Sequence, residues 1–127
     1  MSLTKFDLKA ISLATKEADK STCRQKHGAV IYKKNKIISK GYNKYKTHPR
    51  APSYRFPSIH AEVDALLKIN NLNISGASLA VVRINKKNHL MNSKPCKKCM
   101  NEINKAEIKY VIYSTKEYIT KKLIRGD

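Results

Sequence analysis

His60, Glu62, Cys96 and Cys99 are the residues of this chain whose types and spacing could do chemistry. One imidazole and two thiols are ligand types that zinc favours, and three protein ligands rather than four leave one position of its tetrahedron for water. His60-Ala61-Glu62 and Pro95-Cys96-Lys97-Lys98-Cys99 supply those three ligands together with a carboxylate that need not bind metal. The set describes an open, catalytic zinc site in which Glu62 is the base for the water. A lone Cys-x-x-Cys would say little, because redox and structural zinc sites share it.

The elements that carry these residues must bring them to one point. On a helix, positions i and i+2 face different sides, so His60 and Glu62 can share a target only above its N-terminal end. Ile59, Val63, Leu66, Leu67 and Ile69 recur at helical spacing, which predicts a helix over Ile59 to Leu72 with a start signal at Pro57-Ser58. A further helix is expected from Cys96 to Ala106, placing Cys96 and Cys99 on one face of its first turn, just after Pro95. Two helix ends then converge on one ion, where free backbone N–H groups and the helix dipole favour thiolate over thiol.

The rest of the chain reads as a scaffold for those ends. Thr4 to Lys20 carries apolar residues at helical spacing behind a Thr4/Asp7 capping box. Gly28 to Tyr32 and Lys36 to Tyr42 read as a β-hairpin around Lys33-Lys34-Asn35. Asn43 to Ser58 holds prolines 49, 52 and 57, which argues for a loop without regular elements. Leu79 to Ile84 is a nearly continuous apolar run and reads as a central strand covered on both faces; a polar loop, Asn85 to Lys94, follows it. Ile108 to Tyr113 is the next strand. The tail after Tyr113 is too short for a parallel crossover and another strand, so Tyr118 to Leu123 is expected to pair antiparallel, with one short terminal helix as the alternative. These elements make an α/β fold.

At 127 residues the chain reads as a single domain with one core, residues 1–127, and no stretch approaches the roughly 20 apolar residues of a membrane span. Three cysteines, two of them in the Cys-x-x-Cys, argue against a disulfide framework and for a reducing compartment. The first residues lack the pattern of a signal peptide, so a cytoplasmic location is expected. A net charge of +18 creates a field that draws phosphate-bearing molecules, nucleotides and nucleic acid among them, although a lysine-rich composition can also be mere surface.

His-x-Glu followed by Pro-Cys-x-x-Cys resembles the signature of the zinc-dependent nucleoside, nucleotide and nucleic-acid deaminases, the cytidine/deoxycytidylate deaminase superfamily. Gly28-Ala29-Val30-Ile31 with Gly41-Tyr42-Asn43 is similar to the first hairpin of those enzymes. The resemblance implies a three-layer α/β/α fold with a mixed sheet of four or five strands, Zn2+ held by His60, Cys96 and Cys99, and hydrolysis of a cytosine nucleoside or nucleotide to the uracil product. It further implies that Glu62 takes a proton from water, delivers it to the ring nitrogen and helps expel ammonia. Asn43 is expected to contact the sugar, and the Ala61 N–H the pyrimidine carbonyl oxygen. Oligomers are common in the superfamily, so a homo-oligomer is a further expectation. His60 brings the match closer to deoxycytidylate, tRNA-adenosine and polynucleotide-cytosine deaminases, whereas the short C-terminus lacks the helical crossover of the deoxycytidylate and tRNA types.

Other readings stand beside this one. Cys23 could close a Cys3His structural site, or be a small buried hydrophobe. His27, His48 and His89 lack motif partners and read as surface or loop residues. The stretch Lys44 to Phe56 interleaves cations with aromatics, a pattern suited to single-stranded DNA or RNA, so a deaminase of cytosine, or less readily adenine, in a polynucleotide is the alternative activity. A deaminase of another free heterocycle is a third reading. From outside enzymology comes a zinc-stabilised, basic nucleic-acid-binding protein, against which Glu62 argues.

Overall fold

The computed structural model describes residues 2–45, 58–69 and 74–124. The first helix, α1 (Lys5–Asp19), starts at the expected capping box: the Thr4 hydroxyl accepts the Asp7 N–H at 3.0 Å and the Asp7 carboxylate accepts the Thr4 N–H at 2.9 Å. Strands β1 (Lys26–Lys33) and β2 (Lys36–Tyr42) follow as an antiparallel hairpin. Lys34 and Asn35 turn it with φ of 51° and 61°, both in the left-handed region that gives a two-residue turn the twist of its strands.

Beyond the hairpin, β3 (Lys44–Tyr45) pairs with β4 (Ser58–Ile59), and α2 (Ala61–Leu67) leads to β5 (Ser78–Ile84). Next come β6 (Leu90–Met91), α3 (Lys97–Lys105), β7 (Tyr110–Ser114) and β8 (Ile119–Leu123). The main sheet has the order β2-β1-β5-β7-β8, with β6 also on β5. Because β1 is antiparallel to both β2 and β5, and β5 is parallel to β7, the strands β2, β5 and β7 all run the same way. The passages β2–α2–β5 and β5–α3–β7 are therefore two crossovers stepping in one direction, and right-handed crossovers of that kind lay both helices on one face.

Strand alternation divides the core accordingly. Ala29, Ile31, Leu79, Val81 and Val111 pack with Ala61 and Ala65 of α2 and Ile103 of α3. Val30, Tyr32, Ala80, Val82, Ile84 and Ile112 pack with Ala10, Ile11, Ala14 and Ala18 of α1. The result is three layers, α/β/α. Small residues set the layer spacing: a Cβ on Gly41 would lie 2.5 Å from the Ala65 nitrogen and 2.7 Å from the Ala61 oxygen, so only glycine lets α2 lie this close to β2.

Several boundaries depart from expectation. The sheet has six strands rather than four or five, because the polar loop after β5 doubles back. The Asn85 side chain accepts the N–H groups of Lys87 and His89, both at 2.9 Å, and β6 then occupies the flank of β5 that β7 leaves free beyond Val81. Within the stretch from Asn43 to Ser58 expected to hold no regular element, two-residue β3 and the start of β4 pair with each other, and 46–57 between them lie outside the described residues. Helix α2 ends at Leu67 rather than Leu72. Strand β7 begins at Tyr110, and Ile108 is a wholly buried residue of the turn before it. The tail forms the expected antiparallel strand, β8 on β7. Among the described residues no helix is long and apolar enough to cross a membrane.

A buried ionic group fastens α1 to the sheet. Asp7, 3% exposed, receives the Tyr32 hydroxyl at 2.6 Å and the Lys121 ammonium at 2.8 Å, joining α1, β1 and β8. Burial pushes the Asp7 carboxyl up, but the bonds from Lys121, Tyr32 and the Thr4 N–H outweigh it and hold the carboxyl below its ordinary value. Burial and the Asp7 partner push the Tyr32 phenol up. A carboxylate depressed in the folded state contributes stability that is complete above the unfolded value of about 3.9 and is lost as the pH falls through the folded one. Asp7→Ala is expected to cost about 3 kcal/mol at neutral pH by stranding Lys121, and urea unfolding should show the penalty shrinking as the pH drops below about 4.

Candidate active site

The two helix starts that carry the site are capped in an unusual way. His60 is the N-cap of α2, with extended backbone at φ −71° and ψ 152°, and Cys96 is the N-cap of α3 at φ −74° and ψ 172°. Neither side chain bonds to its own helix, so both are free to point past the helix end where Ser, Thr, Asp or Asn would normally fold back. Cys99 lies in the first turn of α3, 1% exposed. Ser93 fixes the approach to Cys96: its hydroxyl donates to the Val81 carbonyl at 2.8 Å and receives the Ser114 N–H at 2.8 Å, pinning the segment before α3 onto β5 and β7.

His60, Cys96 and Cys99 bring one nitrogen and two sulfur atoms within 4.8 Å of one another. His60 Nδ1 stands 3.1 Å from Cys99 Sγ and 3.7 Å from Cys96 Sγ. A tetrahedral zinc with ordinary Zn–N and Zn–S bonds requires N···S edges of about 3.5 Å, so the donor set fits that ion. Soft thiolates with an imidazole also select zinc over magnesium or calcium. Cys23 is buried but stays outside this group of donors, as a small hydrophobe would; no fourth protein ligand joins the three among the described residues.

Glu62 follows in the first turn of α2, 4% exposed, its carboxylate bonded to the Cys99 thiol. Burial raises the Glu62 carboxyl above its ordinary value. Burial, and then the Glu62 charge and Cys96, push the Cys99 thiol up. Glu62 and Cys99 are buried and Cys96 is exposed beside them; the two thiolates and the carboxylate repel one another, and a divalent cation among them is the group that lets all three ionise.

These side chains open into a cavity of about 400 Å³ whose lining includes His60, Glu62 and Cys96, with Asn43 and His27 beside them and exposed Arg24 and Lys94. Asn43 is held tightly: its Oδ1 accepts the His27 N–H at 2.8 Å, its Nδ2 donates to the Gln25 carbonyl at 2.6 Å, and its own N–H reaches the His27 carbonyl at 3.2 Å. One Nδ2 hydrogen and one Oδ1 lone pair remain. Ala61 opens α2, so its N–H has no acceptor within the helix.

Arg24 and Lys94 are lining residues that no motif announces, and His27, expected at the surface or in a loop, is instead half-buried in β1 on the cavity wall. His27 was legible in principle, since strand alternation puts it on the same face as Ala29 and Ile31, toward α2 and α3. Burial lowers its pKa, which leaves a neutral imidazole at pH 7. His89 is exposed in the turn before β6, as a surface role requires. His48, and all of the basic aromatic stretch beyond Lys44 and Tyr45, lie outside the described residues.

Residues 4–115 match the family model described as the cytidine and deoxycytidylate deaminase zinc-binding region. The chain is 31% identical to the deoxycytidylate deaminase of Mycobacterium phage D29, over 89% of this chain and 97% of that one. Among solved structures it is similar to the apo form of dCMP deaminase from cyanophage S-TIM5, with a TM-score of 0.68 at 23% identity over 90% of this chain and 86% of that one. It is also similar to cytidine deaminase from Burkholderia pseudomallei, with a TM-score of 0.67 at 14% identity over 95% and 93%. These two likenesses carry the fold, the three-layer α/β/α arrangement with a mixed sheet.

Elemental analysis of the purified protein should find one zinc per chain. Cys99→Ala is expected to lose it and Cys23→Ser to keep it; zinc lost from Cys23→Ser would instead indicate a closed four-ligand site.

Proposed function

The chain belongs to the cytidine and deoxycytidylate deaminase family, and from that premise we propose that it removes the exocyclic amine of a cytosine nucleotide by hydrolysis, giving the uracil nucleotide and ammonia. The observation that carries this reading is the buried Glu62 beside the three donors His60, Cys96 and Cys99, with Glu62, His60 and Cys96 on the wall of one cavity. Zinc held by His60, Cys96 and Cys99 would supply the Lewis acidity that makes water nucleophilic near neutral pH.

Glu62 would do the proton work. As a carboxylate it accepts a proton from water while the water oxygen adds to the amino-bearing carbon, and it returns that proton to the adjacent ring nitrogen. A second proton then goes from the new hydroxyl to the departing amine, which leaves as ammonia. Burial suits Glu62 to act as the base, because a carboxylate with a raised pKa takes a proton from water more readily than an ordinary one. The Ala61 N–H would hold the pyrimidine carbonyl oxygen, and the free hydrogen-bonding capacity of Asn43 a sugar hydroxyl. His27, being neutral, offers the base a flat surface without adding charge beside the zinc donors.

A nucleotide is favoured over a nucleoside because Arg24 and Lys94 line the same cavity, where a phosphate would find two cations in a chain of net charge +18. Single-stranded DNA or RNA is the second reading. Lys5, Lys9, Lys16 and Lys20 are exposed along one side of α1, the helix that ends just before Arg24, and could track further phosphates. Cytoplasmic action suits both substrates and the free thiols of the site.

Incubation of the zinc-loaded protein with dCMP, cytidine and cytosine-containing single strands, with ammonia release as readout, separates these substrates. Turnover of dCMP with little of cytidine is expected, and activity confined to the strands would promote the second reading. Glu62→Gln should retain zinc and lose turnover by about 10²-fold or more, since an amide cannot accept and return the proton. A fully active, zinc-loaded Glu62→Gln protein would overturn the mechanism.

A further inference from the structure

We infer that Asp64 is a positioning residue that fixes Asn43 relative to Glu62 by gripping the two residues on either side of it. Asp64 lies one turn into α2 from His60 and is 7% exposed. Its Oδ2 accepts the Tyr42 N–H at 3.2 Å, and its Oδ1 meets the Lys44 ammonium at 3.2 Å. Residues 42 and 44 are thus both tied to one carboxylate on the helix that carries His60 and Glu62, and Asn43 is the residue between them.

The side chains around this carboxylate reinforce the grip. Lys68, one helical turn on from Asp64, stands 3.3 Å from its Oδ2 and donates to the Lys40 carbonyl at 3.0 Å, adding a second link from α2 to β2. The Lys44 ammonium lies 4.3 Å from the centre of the Tyr42 ring, so the residues flanking Asn43 also hold each other. The buried carboxylate thus engages two ammonium groups and a backbone N–H, and these bonds tie the strand end to α2.

The bonds of Asn43 itself all run the other way. Its side chain and N–H engage Gln25 and His27, and its carbonyl accepts the Ser21 hydroxyl at 2.8 Å. Those contacts place Asn43 against the segment from 21 to 27, which carries Arg24 and His27 of the cavity. Asp64 supplies the complementary registration, against α2. The distance between a group that binds the substrate and a group that moves its protons is thereby set by a residue that touches neither substrate nor metal. Such registration matters because a misplacement of about 1 Å can cost a reaction on the order of 10²-fold.

The inference rests on the proposed substrate role of Asn43, and its test keeps the two apart. Amide hydrogen exchange of the zinc-loaded protein reads the positioning without reference to activity. In Asp64→Ala, the N–H groups of His27, Tyr42 and Asn43 should exchange at least about tenfold faster while Val111 in β7 keeps its protection. Asp64→Asn keeps an acceptor for the Tyr42 N–H but not the charge that holds Lys44 and Lys68, so it should fall between Asp64→Ala and the parent and remain folded if the alanine variant does not. For dCMP, Asp64→Ala should raise KM up to about tenfold, the loss of one hydrogen bond from Asn43 to the sugar, with zinc content retained and kcat less affected. Combined with Asn43→Ala the effects on KM should be less than additive. A lowered melting temperature with unchanged protection at His27 and Asn43 in both Asp64 variants would reduce Asp64 to a stabiliser of α2 and overturn the inference. If protection is lost but Asn43→Ala leaves KM unchanged, Asp64 positions Asn43 as inferred, and it is the substrate role of Asn43 that fails.

Discussion

The shared direction of β2, β5 and β7 is the constraint on which the rest of this structure depends. Two successive crossovers of the same hand, stepping the same way across one sheet, must place α2 and α3 side by side on one face with both N-termini at the same end. Those N-termini carry His60 and Cys96 as caps, with Glu62 and Cys99 in the first turns. A site built from residues remote in sequence then needs no long-range loop to close it. The crevice outside the carboxyl ends of such strands is also where open α/β sheets generally bind ligands.

Packing turns that topological necessity into a precise distance. Gly41 admits α2 to the back of β2, Ala61 and Ala65 are wholly buried beneath it, and Ser93 holds the start of α3 to the sheet. Electrostatics then decides the composition of the crevice. Two thiols and a carboxylate lie together, two of the three buried, and call for a cation, whereas exposed Arg24 and Lys94 on the same cavity wall call for an anion.

Much of this was legible in the sequence because the signals are local. The Thr4/Asp7 capping box, the Cys-x-x-Cys at the start of α3 and the antiparallel pairing of β8 are each fixed by a few neighbouring residues, and the structure has them as read, although α2 is capped by His60 rather than started at Pro57-Ser58, and Cys96 caps α3 rather than lying within it. The misses have a common cause. Strand β6 exists because Asn85 bends the chain back to a vacant flank of β5, and no alternation in Leu90-Met91 announces it. Helix α2 stops at Leu67 although apolar spacing continues to Ile69 and beyond, because periodicity marks which side is buried and not where the backbone bonds end. His27 and Arg24 became site residues only when Asn43 bound the segment before β1 from the neighbouring strand, a contact between residues sixteen and more positions apart. Asp64 is of the same kind, since a charged residue within an amphipathic helix looks like solvated surface until its partners across the strand end are seen.

X-ray absorption at the zinc edge of the loaded protein measures the central claim, that the two helix ends hold the metal through three protein ligands and leave one position open. The expected result is two sulfur ligands at about 2.3 Å, one imidazole nitrogen at about 2.0 Å and one further light ligand from solvent, displaced when a nucleotide-like inhibitor enters. Three sulfurs with one nitrogen, unchanged by any such ligand, would mean a closed structural centre and would contradict it.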